Sequence, residues 1–347
     1  MRPAAGRYRL VLGVLVAALA GSVLLAVALG AVRISPASAL RLLAWKFGLI
    51  DRPVEVSRAT EVILFQLRIP RVALAAVVGL ALAVSGTVFQ GLFRNPLADP
   101  AIIGVSSGAA LGAVMVIVVG GGGLLGGFGV SLAAFVGGML TAFFVYRLAR
   151  VGPSVHVATL LLAGIAVAAV ISAAMSLVMS FAGEQIRSIY FWLLGGLSAR
   201  GWTALEVVVP LIVLGVVGVL VLIRDLNLVS LGEERAAQLG VDVDRFKWRA
   251  VALGALLAGA AVSVSGVIGF VGLMTPHVMR LIVGADHRRL LPAVVLAGPT
   301  FLVLADLVAR VALAPQELPL GAVTALVGGP FFLFLLRRER RRASAGV

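Results

Sequence analysis

The stretch Arg68–Val114, RIPRVALAAVVGLALAVSGTVFQGLFRNPLADPAIIGVSSGAALGAV, decides the fold. It holds two apolar runs, 72–93 and 101–119, each of roughly 20 residues and so long enough to cross a bilayer as a helix. Between them lies Arg94-Asn95-Pro96-Leu97-Ala98-Asp99-Pro100. Pro96 and Pro100 cannot continue a helix, and each biases the residue before it away from helical angles. Asp99-Pro100 reads as the N-cap and first residue of the second helix. The stretch predicts a membrane hairpin whose turn is specified by Asn95, Pro96, Asp99 and Pro100.

Outward from this hairpin the chain stays apolar. It is 61% hydrophobic and only 13% charged, with a mean hydropathy of +1.12. Ordinary soluble domains carry about 25% charged residues, so that class is excluded. The apolar runs are continuous rather than alternating, which argues against a transmembrane barrel. Ten segments are expected to lie in the membrane: 10–32, 64–93, 101–119, 124–148, 155–183, 203–223, 246–267, 272–284, 289–313 and 318–336. The eighth is short and reads as a half-span, which only a protein-lined site tolerates. The first follows Arg2, Arg7 and Arg9. It is longer than the ~7–15-residue core of a signal peptide and reads as an uncleaved helix. The expected fold is an all-α polytopic membrane protein of about ten helices, with residues 1–347 forming one transmembrane domain.

The formal net charge is +14. The basic residues cluster at the ends of apolar runs, so a membrane-orientation signal explains them better than nucleic-acid binding. With the N-terminus in the cytoplasm, 19 of the 29 Lys and Arg residues fall inside. The positive-inside rule then predicts cytoplasmic N- and C-termini. Cysteine is absent, which excludes disulfides, thiolate metal sites and a Cys nucleophile. His156, His277 and His287 lack metal-ligand spacing, and no metal site is expected.

Ser85-Gly86, Gly91-Leu92 and Asn95-Pro96 are echoed by Ser265-Gly266, Gly272-Leu273 and Thr275-Pro276. The first copy sits on an out-to-in helix and the second starts on an in-to-out helix. This predicts an inverted repeat relating spans 2–5 to spans 7–10, as in many transporters. Gly104, Gly108 and Gly112 are spaced by four and suit close helix packing. Gly120–Gly123 reads as an outer turn.

Charged groups inside the spans are few. None occurs in 72–88 or 101–145. Asp306 precedes Arg310 by four residues, which pairs them on one helix face. Ion-coupled carriers place carboxylates near the bilayer midplane, and none is read there. Neither lysine follows a Gly-x-x-x-x-Gly pattern, so the chain lacks the phosphate-binding loop of an ATPase. A transporter of this kind takes its energy from a separate subunit. An ion-coupled secondary carrier is the alternative from a different class.

The motifs RIPR, SGTVFQGLFRNPLADP and GVSSGAALG resemble the permease subunits of ABC importers for iron–siderophores, haem and cobalamin. LGEERAAQLGV (231–241), GFVGLMTPHVMRLIVGADHRRLLP (269–292), ADLVAR (305–310) and ELPLGAVTALVGGPFF (317–332) are similar to that family in its order. The resemblance spans roughly residues 60 to 337. It implies a non-enzymatic permease importing an iron complex, haem or a ferric siderophore, or alternatively cobalamin. Implied partners are a second copy of the chain, two ATP-binding cassette subunits holding ATP and Mg, a periplasmic binding protein and the lipid bilayer of the bacterial inner membrane. No cofactor is expected on the chain itself.

The resemblance also implies residue roles. Within the cytoplasmic loop 224–249, Leu231, Gly232, Glu233, Glu234, Ala236, Leu239 and Gly240 would form the coupling helix that sits against the ATPase. Arg68, Arg71 and Arg310 would dock carboxylates of the binding protein, for which arginine's directional pairing is suited. Ser154, His156 and Val157 would lie at the cytoplasmic gate, where His156 departs from the usual small polar residues. Phe191-Trp192 would belong to a short outer helix shielding the path, with Trp192 counted among the gate and pathway residues.

Overall fold

The computed structural model describes residues 5–30, 34–46, 48–51, 57–121, 123, 127–152, 154–198 and 200–345. Arg2, positions 31–32 of the first expected segment, Gly122, the first residues of the fourth segment (124–126) and Pro153 lie outside them. Among the described residues, seven helices are long and apolar enough to cross a membrane, and Val105–Val118, Val271–Val283 and Leu320–Leu335 are shorter apolar helices. Each of the ten expected segments holds one of these helices.

The first helix, α1 (Ala5–Ala28), is followed by a short helix, α2 (Pro36–Lys46), that the sequence reading missed. Next come α3 (Arg58–Val62), a π-helical turn at Ile63–Arg68, and α4 (Ile69–Leu92). The widened turn ends where Ile69 N–H bonds to Leu64 O, immediately before Pro70, whose ring removes a donor from the regular ladder. Then follow α5 (Val105–Val118), α6 (Gly129–Leu148), α7 (Val157–Ser180), α8 (Ile186–Leu193), α9 (Trp202–Val221), α10 (Ile223–Val229), α11 (Glu233–Gln238), α12 (Val243–Ser265), α13 (Val271–Val283), α14 (His287–Val311) and α15 (Leu320–Ala345). A two-residue antiparallel ladder, β1 (Arg150–Val151) with β2 (Ser154–Val155), lies between α6 and α7.

The chain begins at what is here called the proximal end of the bundle. Tyr8 on α1 donates its hydroxyl to Arg289 O at the start of α14. Arg310, at the other end of α14, reaches the carbonyls of Ala26 and Leu29 at the end of α1. Helices α1 and α14 therefore run side by side from the proximal to the distal end. Helix α4 runs the opposite way, with Gly91 packed beside Leu226 and His287.

The core is built around α4. Its crossings demand glycine because the partner backbone occupies the Cβ position. A Cβ on Gly79 would lie 2.5 Å from Gly298 O on α14, and one on Gly86 would overlap Gly272 O on α13. Lipid offers no hydrophobic drive between helices, so such close approach supplies packing in its place. Gly108 and Gly112 on α5 meet Gly137 and Ala133 on α6 in the same way.

The expected hairpin turn is present, with one correction. Asn95 Oδ1 accepts from Leu97 N–H at 2.9 Å, and Asp99 Oδ1 accepts from Ala101 N–H at 2.8 Å. Asp99-Pro100 starts a 3-10 turn, Pro100–Ile103, rather than the helix itself. Gly104 then takes φ +80°, and α5 begins at Val105. The extra turn resets the chain direction before the span resumes.

The series α4–α5–α6–α7 and α12–α13–α14–α15 match in order and run in opposite senses. Each has a long helix, a break, a short helix and two long ones, as an inverted repeat requires. The dipeptide echoes do not follow this register. Ser85-Gly86 is mid-helix, whereas Ser265-Gly266 ends α12 with Gly266 at φ +67°. Instead the echoed segments pack on one another, Gly86 against Gly272.

Gly86→Ala is expected to destabilise the fold by about 1–3 kcal/mol, the usual cost of overpacking. Gly13→Ala on α1, where nothing lies within 4 Å, should not lower stability and can raise it by about 0.5–1 kcal/mol through helix propensity. Thermal unfolding of the two variants in detergent compares them directly.

Candidate functional sites at the two ends of the bundle

At the proximal end, α11 is a six-residue helix between two glycines that adopt positive φ. Gly232 (φ +116°) precedes it, and Gly240 (φ +84°) ends it. Gly240 N–H bonds to Ala237 O and Val241 N–H to Ala236 O, both at 3.0 Å. This pair of bonds is a Schellman C-cap, which favours glycine at the left-handed position. Glu233 and Glu234 occupy the first turn, where carboxylates complement the helix dipole. Ala236 is fully buried, while Leu231 and Leu239 are more than half exposed. The short helix is thus anchored by one small residue and presents two leucines outward from a polar loop.

Ser154, His156 and Val157 lie beside it. The β1–β2 ladder turns at Gly152 (φ +63°), pairing Arg150 with Val155 and Val151 with Ser154. His156 is exposed and extended, and occupies the N-cap position of α7 without a side-chain capping bond. Arg94, His156, Val157, Leu231, Gly232 and Glu233 are among the lining of one cavity of about 510 Å³. Arg94 of the hairpin turn, His156 and Val157 of the expected gate and the first residues of the expected coupling helix, three separate motifs in the sequence, therefore meet.

Their joint is Lys247, near the start of α12. Its side chain is buried, and Nζ donates to Val155 O and to Glu233 Oε2, both at 2.6 Å. The sequence reading counted Lys247 only as one more basic residue of a cytoplasmic loop. Nothing in a one-dimensional pattern shows that this lysine points inward.

At the distal end, Asp306 on α14 is 1% exposed. Its Oδ1 accepts from Arg71 Nε at 3.0 Å and from Arg71 Nη2 at 2.9 Å; its Oδ2 accepts from Arg310 Nε at 2.9 Å. The i,i+4 pairing of Asp306 with Arg310 is present as read. Arg71 Nη1 also donates to both carboxylate oxygens of Glu317, at 2.8 and 3.0 Å. Ser198 Oγ donates to Glu317 Oε2 at 2.6 Å. Burial pushes the Glu317 carboxyl up, but hydrogen bonds from Arg71 and Ser198 outweigh it and hold the group below the ordinary glutamate range.

Arg68, Arg71 and Arg310, the expected docking residues, are all engaged within the chain. Arg68 is 5% exposed and Arg310 6%. Arg68 Nη1 donates to Val27 O and Ala28 O at 2.8 and 3.1 Å. Arg310 donates to Ala26 O and Leu29 O at 3.0 and 3.3 Å. The last carbonyls of a helix lack intrahelical donors, and two arginines supply them to α1. Arg71 turns onto the carboxylates. The three guanidiniums line a distal cavity of about 730 Å³ together with Ser198, Arg200 and Glu317.

Trp192 lies on the short helix α8 at this distal end, away from Ser154, His156 and Val157. It packs beside Ala113, Ala134 and Val262 and lines a neighbouring cavity of about 430 Å³ with Arg71, Ser265 and Glu317.

Asp306→Ala is expected to cost about 3–5 kcal/mol, because it leaves the buried Arg310 without a carboxylate and Arg71 with Glu317 alone. A fall in the thermal midpoint of the purified chain measures it. The Glu317 contribution has a defined pH dependence. Its folded pKa is lowered from 4.5, so its stabilisation is fully present above that pH and is lost as pH falls through the lowered value. Thermal midpoints of wild type and Glu317→Gln should differ at neutral pH and converge in acid.

Residues 16–338 match the FecCD transport family. The chain is 46% identical over 288 residues to the cobalamin import system permease protein BtuC of Halobacterium salinarum, covering 83% of this chain and 77% of that one. It is 46% identical over 281 residues to the hemin transport system permease protein HmuU of Yersinia pestis, covering 80% and 84%. A solved structure assigned to the metal-chelate type of ABC transporter, in an inward-facing conformation, aligns with a TM-score of 0.80 at 34% identity, over 94% of this chain and 98% of that one. This chain belongs to the FecCD transport family of ABC importer permeases.

Proposed function

We propose that the chain is the membrane subunit through which an ATP-driven importer moves an iron complex, haem or a ferric siderophore, from periplasm to cytoplasm. The observation that carries this reading is the proximal cluster. A short helix with two exposed leucines is joined through Lys247 to the turn that starts α7. That is the arrangement needed for a separate ATPase to act on the pathway. Two copies of the chain would enclose the path, two ATP-binding cassette subunits carrying ATP and Mg would sit below, and a substrate-binding protein above. The proximal end would be cytoplasmic, with both termini there, in the bacterial inner membrane. Cobalamin is the second reading, since the chain is as similar to a cobalamin permease as to a hemin permease, 46% identical to each.

At the distal end, the arginine-lined cavity beside Arg200 offers the positive floor that a carboxylate of the binding protein would enter. Arg71 is the candidate that would exchange Glu317 for such a partner. Ion-coupled transport is disfavoured because Asp306, the buried carboxylate of α14, is held by two arginines.

The test is ATP hydrolysis by the chain reconstituted with its ATPase and binding protein, the latter loaded in turn with haem, a ferric siderophore or cobalamin. Stimulation by one loaded form is expected and identifies the cargo. The double variant Glu233→Ala/Glu234→Ala is expected to lose that stimulation. Uptake that follows a proton gradient with no ATPase complex would overturn the reading.

A further inference from the structure

We propose that Lys247 is the positioning residue that ties the coupling helix to the gate turn, so that displacement of α11 is passed to the start of α7. The inference rests on the importer reading above and adds the residue through which the movement travels.

Lys247 lies on α12, which packs against α4, α6 and α9 and forms part of the bundle's scaffold. Its side chain is 4% exposed, and its two acceptors come from two different elements. Glu233 Oε2 belongs to the first residue of α11, and Val155 O belongs to β2, one residue before the N-cap of α7. Among the described residues, no backbone hydrogen bond joins Ser154–Val155 to Glu233–Gln238. The ammonium is therefore the polar link between them. A buried ammonium must keep partners, since an unpaired charge in a low-dielectric site is costly. Withdrawal of either acceptor leaves the buried ammonium with one partner, which resists separation of the two elements.

What Val155 controls is α7. The β1–β2 ladder is only two residue pairs long, and its turn passes straight into the exposed N-cap His156. Helix α7 packs within the chain on α5 and α6, and Gly164 lies against the backbone of Ile102. Its entry turn, held by two ladder pairs and one lysine, is displaced more easily than α12, which is fixed in the core. The asymmetry gives the link a direction, from α11 through Lys247 into the turn before α7.

The chain has no cysteine, so His156→Cys gives a single reporter at the gate. Its maleimide labelling rate is measured in the complex with the ATPase subunits, with and without a non-hydrolysable ATP analogue. Uptake per ATP hydrolysed is measured in parallel. The parent chain should show nucleotide-dependent labelling. In Lys247→Met that dependence should be lost and uptake per ATP should fall about tenfold, within the range of ordinary coupling between sites. Lys247→Arg should restore much of both, because a guanidinium has donors for both acceptors. Should Lys247→Met fail to assemble, Glu233→Gln carries the same test, since it removes only the charge of a partly exposed group. Full nucleotide dependence and full uptake per ATP in the testable variant would overturn the proposal. A parent chain that binds no ATPase subunit would overturn the importer reading and this one together. A parent that couples, beside a Lys247→Met chain that couples equally well, would overturn this proposal alone.

Discussion

The backbone contact between α4 and its neighbours at Gly79 and Gly86 is the constraint on which the rest of the structure depends. In lipid, apolar side chains gain little from leaving one apolar surface for another, so helices associate through close fit. At both glycines the partner carbonyl sits where a side chain would begin. That proximity fixes where α13 can start. It begins against the second half of α4, where Gly272 meets Leu82 and Gly86 and Gln90 Nε2 donates to Leu273 O at 3.0 Å. A helix starting at that depth exposes irregular backbone at membrane depth, which is tolerated because protein surrounds it. Helix α4 is about 36 Å long at 1.5 Å per residue. It carries Arg71 at one end and leads into Arg94 at the other, so both candidate sites are referred to one rigid rod.

The two ends solve the problem of buried charge differently. Distally, two arginines share Asp306, one extends to Glu317, and the spare guanidinium donors close the carbonyls of α1. The result is a network with several redundant bonds. Proximally, one lysine serves one carboxylate and one carbonyl. Loss of a single partner there leaves the ammonium half satisfied. The distal network is built to hold, and the proximal link is built from few enough bonds to move as a unit.

Much of this was legible in the sequence. Continuous apolar runs located the seven long and three shorter apolar helices among the described residues, because the bilayer sets a minimum length and excludes polar interruption. The Asn95-to-Pro100 turn was readable from proline and capping chemistry, and the i,i+4 spacing identified the Asp306–Arg310 pair. What the sequence did not show was where side chains point. Arg68 and Arg310, read as docking residues, donate to carbonyls of a helix some 40 and 280 positions away. Lys247 falls where the expected loop 224–249 meets the expected span 246–267, and nothing in the pattern marks it as buried. Helix α2 was missed because it is short and amphipathic, with Leu42 buried and Leu40 exposed. Its partner surface, formed by Leu64 and neighbouring residues, becomes visible only in three dimensions.

The capping of α1 by arginines has a consequence for how the chain assembles. Helix α1 is synthesised well before α14, but its end is completed by Arg310, some 280 residues later, and its start is fixed by Arg289. Contacts of such sequence separation form late. Until α14 is inserted, α1 must wait in lipid as a loosely attached helix, with Arg68 alone available to its terminal carbonyls. The last third of the protein therefore determines when the first helix finds its place, and a nascent chain stopped before α14 would contain a correctly formed α1 that is not yet docked.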